Sequence, residues 1–346
     1  MTIGANLSSG ERPLIALAIG DPAGISPELT AKLIHSPAVA AVARLVVVGD
    51  QRVLALGARQ ARLALNIDTV EDDDIGPANR SVMIDLQNLD PAHVLAGEAT
   101  QSGGRFAIDN FVHALKLAEA GKVDAVCYTP FNKKAMRLAH PGYDDESSFI
   151  AEILNLTSRV KEFNVLDQIW NARVTSHIPL KDVSANLSQQ AILDEIALTS
   201  ECLRRSGVES PRLLVAGLNP HAGDGGSFGM EEIEIIGPAV QAAAIAGFDV
   251  AGPFPADTVF LTALKGGYHA VLTMYHDQGQ IAMKLMGFDR GVTMLGGLLF
   301  PVCTPAHGTA YDIVGQGAAN PRASEEALLL AARMAISSQR KRIDAS

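Results

Sequence analysis

Short β-branched runs alternate with Ala/Leu-rich helical stretches along this chain: LIALAIG, then SPELTAKLIHS, then ARLVVVGD, with DAVCYTP, RLLVAGLNP and HAVLTMYHD further on. Strands that follow one another in this way need crossovers, and helices supply them, so the alternation predicts parallel βαβ units with helices covering both faces of the sheet. The expected fold class is α/β. With 346 residues the chain is long enough for two domains, each burying its own core. GEATQSGGRFAIDNFVHALKLAEAGKV reads as a glycine turn entering a long amphipathic helix, and TVEDDDIGPANRS as a surface loop.

Composition narrows the function. Charged residues are 19% and hydrophobic residues 48%, the balance of an ordered globular chain. A formal charge of -10, offset by no basic cluster before the terminal QRKR, excludes the electrostatic footprint of a nucleic-acid binder. Cys127, Cys202 and Cys303 are odd in number and far apart, which suits reduced thiols and neither a disulfide framework nor a cysteine zinc site. The N-terminal MTIGANLSSGERP lacks the pattern of a signal peptide, and no apolar stretch approaches the roughly 18 residues of a membrane span. A soluble cytoplasmic protein with no membrane partner is expected.

Three histidines share one local setting, an apolar strand-like run breaking into a polar or Gly/Pro turn: His177 in RVTSHIPL, His221 in LLVAGLNPHAGDGG and His276 in AVLTMYHDQGQ. A lone histidine of this kind is commonly a hydrogen-bonded loop residue. Three together are a different matter, because strand ends on one edge of an α/β sheet converge around a crevice. Imidazoles suit a divalent cation, and three protein ligands leave a position open for substrate. The set fits zinc foremost, with nickel, cobalt, manganese or magnesium as alternatives. His35, His93, His113, His140 and His269 lack the setting and read as surface or packing residues.

Two glycine-rich motifs add to this. LAIGDPAGISPEL ends a strand at Gly20, turns at Asp21-Pro22 and opens a helix at Ser26-Pro27, a helix start that also suits a loop lying over a cofactor crevice. It lacks the glycine spacing of the dinucleotide fingerprint. In HGTAYDIVGQGAANP, glycines 308, 315 and 317 allow close backbone approach to a ligand, and Asp312 and Asn320 offer polar contacts.

The second motif resembles the adenosine-binding loop of the isocitrate and isopropylmalate dehydrogenase superfamily. Longer strings are more specific: GDPAGISPEL, TPFNK around Lys133, SHIPL, GLNPHAGDGGSFG, GPFPADT, YHDQG and GFDRGV resemble, in order and spacing, the 4-hydroxythreonine-4-phosphate dehydrogenase family. The resemblance implies two α/β domains flanking a central cleft. The first would be residues 12–130 plus 303–340, and the second 131–302 with the metal site and dimer interface. It implies a cation on His177, His221 and His276, the last reaching across from the other subunit of a homodimer that shares its active sites. NAD or NADP would lie against Gly20, Asp21, His307, Gly308, Thr309, Ala310, Asp312 and Asn320. Lys284 and Lys133 would bind a carboxylate or transfer a proton, and Asp257 would assist by orienting ligands.

The chain also departs from that family. Asp145-Glu146-Ser147-Ser148 stands where the family has Gly-His-Thr-Glu, Thr293 replaces a substrate-contacting Asn, and Val302 replaces an Arg that faces the substrate. Losing a guanidinium while gaining Glu146 makes a pocket less suited to a phosphate monoester. With Glu146, Ser147, Lys284, Thr293 and Val302 as substrate contacts, the expectation is metal-dependent, NAD(P)-linked oxidation and decarboxylation of an unphosphorylated hydroxy or vicinal-diol carboxylic acid, such as an aromatic-acid cis-dihydrodiol. The alternatives are 4-hydroxythreonine 4-phosphate or a related four-carbon phosphosugar acid as substrate, or a non-catalytic or acyltransferase-like descendant of the fold.

Overall fold

The computed structural model describes residues 12–76, 80–157, 160–167 and 169–344. The N-terminal segment and residues 77–79 of the expected surface loop lie outside them. Twelve strands form one sheet: β1 (Leu14–Ala18), β2 (Arg44–Gly49), β3 (Asp68–Thr69), β4 (Val82–Asp85), β5 (Ala125–Tyr128), β6 (Lys161–Leu166), β7 (Ile169–Arg173), β8 (Arg212–Ala216), β9 (Asp249–Phe254), β10 (Ala270–Thr273), β11 (Val292–Gly296) and β12 (Val302–Pro305). Their order is β3-β4-β2-β1-β5-β12-β11-β6-β7-β10-β8-β9. Strands from residues 14–128 and 302–305 fill one half, and strands from 161–296 fill the other.

The sheet is mixed: the expected parallel βαβ units are joined through antiparallel strands. The first half pairs in parallel throughout, as do β7, β10, β8 and β9 in the second, but β11 runs antiparallel to β12 and β6, and β6 runs antiparallel to β7. The reason is connection length. The link from β6 to β7 turns through Asp167, at φ +50°, and is too short for a helical crossover, so it closes a hairpin.

The helices are α1 (Ser26–Ile34), α2 (Pro37–Val42), α3 (Gln51–Ala61), α4 (Gln101–Glu119), α5 (Lys133–Ala139), α6 (Glu146–Ile153), α7 (Gln189–Arg205), α8 (Gly237–Ile245), α9 (Val259–Gly266), α10 (His276–Gly287) and α11 (Arg322–Asp344). Alternate side chains of one strand feed two cores. Ile15 and Leu17 of β1 join Val53, Ile196 and Leu328 of α3, α7 and α11, while Ala16 and Ala18 join Phe111, Met136 and Phe149 of α4, α5 and α6. Both faces of the sheet are therefore covered, as apolar runs without polar alternation require. Gly103 and Gly104, expected in a turn, lie inside the first turn of α4. A Cβ on Gly104 would sit 1.9 Å from the Ala135 carbonyl oxygen, so the glycine lets α4 lie against α5.

Candidate active site

The turn after β7 and the start of α10 bring His177 and His276 together, with ring centroids 5.6 Å apart. Two bonds join the strand ends that carry them: the Thr175 amide and hydroxyl donate to the Met274 carbonyl at 3.1 and 2.7 Å. His177 adopts φ +49°, a left-handed conformation that histidine tolerates better than most residues with a Cβ. The two rings line a cavity of about 280 Å³ together with Ser176, Tyr275 and Asp277.

Each ring has a carboxylate at the same nitrogen. His276 Nδ1 lies 2.7 Å from Asp277 Oδ1, and His177 Nδ1 lies 3.6 Å from Asp145 Oδ2. Among the described residues neither Nε2 has a hydrogen-bond partner. Asp277 takes the Nδ1–H of His276 and leaves Nε2 as lone-pair donor, the arrangement that metal-binding histidines use, while Asp145 stands beside His177 as a charge beyond hydrogen-bond distance; the pair fits a divalent cation. Asp145 is the N-cap of α6 and accepts from the Ser148 amide at 2.8 Å. Burial works against its ionised form, but the Ser148 hydrogen bonds and the positions of His177 and Lys133 outweigh it and hold the carboxyl below its ordinary range.

His221 does not complete the set within one chain. It stands in the turn after β8, 6.1 Å from the Phe228 ring. Among the described residues, no group of three or more His, Cys, Asp or Glu side chains is placed to hold a metal ion.

The other expected substrate contacts are scattered. Lys133 opens α5 and reaches Glu146 on α6 at 3.7 Å, and Ser147 is half-buried beside it. Tyr143 is buried next to this pair, and burial followed by the charge of Glu146 pushes its hydroxyl well above the ordinary range. Thr293 is buried on β11, in register between Thr304 and Asn164. Val302 is 0% exposed in the core with Val126 and Leu295. Lys284 is exposed and lines a different cavity with Asn164 and Gln280; two helical turns put it about 12 Å along α10 from His276. Asp257 is exposed in the turn before α9.

The expected nucleotide loop is firmly built. The Gly20 amide donates to Thr129 Oγ1 at 2.8 Å, and Gly24 comes so near the second motif that a Cβ there would lie 2.7 Å from the Thr309 carbonyl oxygen. The Ile25 amide donates to that same oxygen at 3.0 Å. Asp21 is buried and accepts from the Ala23 amide and the Tyr311 hydroxyl; its burial outweighs both bonds and raises its carboxyl above the ordinary range. Further along, Lys32 donates to the carbonyls of Gly317 and Ala319 at 3.0 and 2.7 Å, and Glu28 accepts from the Ala319 amide at 2.9 Å. Ala310 is left-handed at φ +45°, and Asn320 Oδ1 accepts from the Arg322 amide at the head of α11. Gln316 donates to the backbone carbonyl of Asp312 at 2.9 Å. His307 Nδ1 lies 3.0 Å from the Gly308 carbonyl oxygen, while its Nε2 is buried with no partner among the described residues, an orphaned polar atom suited to a bound ligand.

Sequence reasoning missed several supporting residues. Arg173, 3% exposed, ends β7 and donates to Glu162, to Asn164 at 2.5 Å and to Ser176 at 2.5 Å, which braces the turn carrying His177. A charged residue inside an apolar strand was the available signal. Tyr311, Glu28 and Lys32 had none, since each acts on a partner almost 300 positions away.

Among known proteins, the chain is 62% identical over 336 residues to "Putative 4-hydroxythreonine-4-phosphate dehydrogenase 2" of Rhizobium meliloti, covering 96% of this chain and 97% of the relative. A protein of the same description from Pseudomonas aeruginosa is 44% identical, covering 93% and 97%. The crystal structure of a putative 4-hydroxythreonine-4-phosphate dehydrogenase from Salmonella typhimurium superposes with a TM-score of 0.80 at 33% identity, covering 93% of this chain and 99% of that one.

These relatives overturn the expectation of an unphosphorylated diol substrate, because chains 44% to 62% identical are named for a phosphorylated one. The structure shows why the argument from substitutions failed. Val302 is sealed in the core and presents nothing to a pocket, and Glu146 is paired with Lys133 and so is not a bare repelling charge. The model of the family described as pyridoxal phosphate biosynthetic protein PdxA matches residues 41–331, and with these relatives it establishes that the chain belongs to that family.

Proposed function

We propose that this chain is a metal-dependent, NAD(P)-linked dehydrogenase that oxidises the hydroxyl of a four-carbon acid bearing a 4-phosphate, with 4-hydroxythreonine 4-phosphate as substrate and carbon dioxide lost from the oxidised product. The observation that carries the reading is the 62% identity over nearly the whole chain to a relative so named, joined to a pair of histidines each backed by a carboxylate. Held by His177 and His276, a divalent cation, zinc foremost, would supply a Lewis acid toward the substrate hydroxyl, and NAD(P)+ held by the loop around His307 would supply the hydride acceptor. The chain's own residues do the rest. His177 and His276 present Nε2, Asp277 holds the tautomer of His276, Asp145 places its charge beside His177, and Lys133 and Lys284 meet the anionic ends of the substrate.

Because the three histidines do not close on one point within a chain, the set is completed between two copies of a homodimer. The buried free thiols Cys127, Cys202 and Cys303 suit a reducing cytoplasm. The reading is tested by NAD(P)H formation from 4-hydroxythreonine 4-phosphate and related phosphorylated four-carbon acids, with added divalent cations and after chelation. Turnover that chelation abolishes is the expected result. Absence of turnover with every cation, or full activity after metal removal, would overturn it.

A further inference from the structure

The turn carrying His221 has a backbone that its own residues do not favour. His221, Ala222, Gly223, Asp224 and Gly225 are consecutively left-handed, at φ +54°, +54°, +82°, +45° and +65°. Three of the five carry a Cβ, and left-handed residues of that kind ordinarily occur singly. Such a run persists only where its surroundings over-determine it.

Glu232 supplies those surroundings. It is 4% exposed, begins a π-helical turn (Glu232–Ile236) ahead of α8, and places both carboxylate oxygens on the residue two before His221. Its Oε1 accepts from the Asn219 amide at 2.7 Å, and its Oε2 accepts from Asn219 Nδ2 at 2.9 Å. Two glycines make room for it, since a Cβ on Gly217 would lie 2.9 Å from Oε1 and one on Gly223 2.7 Å from Oε2. Glu231 adds a further acceptor for Asn219 Nδ2 at 2.7 Å and is itself held by Ser184. A carboxylate accepts at both oxygens and so takes the Asn219 amide and one Nδ2 hydrogen together, leaving the other to Glu231.

We propose that Glu232 is a positioning residue for His221: its buried carboxylate locks Asn219 and through it the left-handed turn, setting where the His221 imidazole stands. Its consequence for metal binding rests on the reading of His221 as a ligand, whereas the positioning itself does not. In Glu232→Gln the amide NH2 faces one of the Asn219 donors, so the lock opens with little change of volume. Asn219→Ala removes the side-chain donor from the same contact and leaves every left-handed residue of the turn unchanged.

The full-length protein, stripped of metal, is titrated with Co²⁺ and its ligand-field spectrum recorded, and the His221 ring signals are followed by NMR in the metal-free form, with circular dichroism as the check on folding. Both variants are expected to shift the His221 signals while leaving those of His177 in place, and to weaken Co²⁺ about 10- to 100-fold with an altered spectrum resembling that of His221→Ala. Unmoved His221 signals in folded Glu232→Gln would overturn the proposal whatever the cobalt data. Moved signals, combined with wild-type cobalt binding by His221→Ala, would uphold the positioning role and overturn His221 as a ligand. Should Glu232→Gln fail to fold, Asn219→Ala decides in the same way.

Discussion

Asp277 touches the candidate metal centre only through His276, whose Nδ1 it faces at 2.7 Å. Replacing it by Ala removes the acceptor that sets the ring's tautomer. Metal affinity, measured by calorimetric titration, is expected to fall about 10- to 100-fold. Unchanged affinity would leave Asp277 as a residue of the first turn of α10 and nothing more. Arg173 makes a different prediction, because its side chain is buried and paired with Glu162. Arg173→Met leaves the part-exposed Glu162 unpaired, while Asn164 keeps its bond from Gln280, and should cost about 1 to 3 kcal/mol in urea unfolding. The double variant with Glu162→Gln should then recover part of it. These residues show how unevenly sequence reports a site. His177 and His276 were legible from their place after apolar runs, whereas the carboxylates behind them come from an adjacent residue in one case and from a helix 32 positions upstream in the other.

At the scale of an element, α3 shows how a cap couples stability to pH. Its N-cap Asp50 is buried and accepts from the amides of Arg52 and Leu89 and from the Arg52 guanidinium. Burial opposes the charge, but the Arg52 and Leu89 hydrogen bonds outweigh it and hold the carboxyl below its ordinary range. A lowered folded-state pKa stabilises the native state above the unfolded value of about 4, and the benefit is lost as pH falls through the folded value. Asp50→Ala should therefore cost about 1 to 3 kcal/mol at neutral pH, and the gap from wild type should narrow in acid, as read by urea unfolding across pH. The same helix meets α1 at Gly57, where a Cβ would fall 2.1 Å from the Pro27 carbonyl oxygen. Gly57→Ala should cost about 1 to 3 kcal/mol by overpacking. Because α1 carries Glu28 and Lys32 against the candidate nucleotide loop, Gly57→Ala should also raise KM for NAD(P)+ more than it lowers kcat. A stability loss with no change in that KM would separate α1 from cofactor binding.

The whole molecule leaves apolar side chains in solvent where its candidate site is incomplete. Ile281, Leu285 and Phe288 at α10 and Leu261 and Leu264 on α9 are all more than half exposed, with Leu285 at 84%, although α10 begins at His276. Large apolar side chains exposed in this number fit the contact that the proposed homodimer requires. Ile281→Asp combined with Leu285→Asp is expected to sediment as a folded monomer and to lose activity, while wild type sediments as a dimer; a fully active wild-type monomer would refute the shared site. Among the described residues no helix is long and apolar enough to cross a membrane. The α/β class, the strand-ending turns and the family were written in local patterns, because strand and helix periods and motif wording depend on near neighbours alone. Which residues face the crevice was not. Val302 and Cys303 alternate on β12, and only the register with β5 and β11 sends Val302 into one core and Cys303 into the other. The antiparallel centre of the sheet, the carboxylate behind His177 and the left-handed turn under His221 all depend on partners distant in the chain, and those meet only when the tertiary structure brings them together.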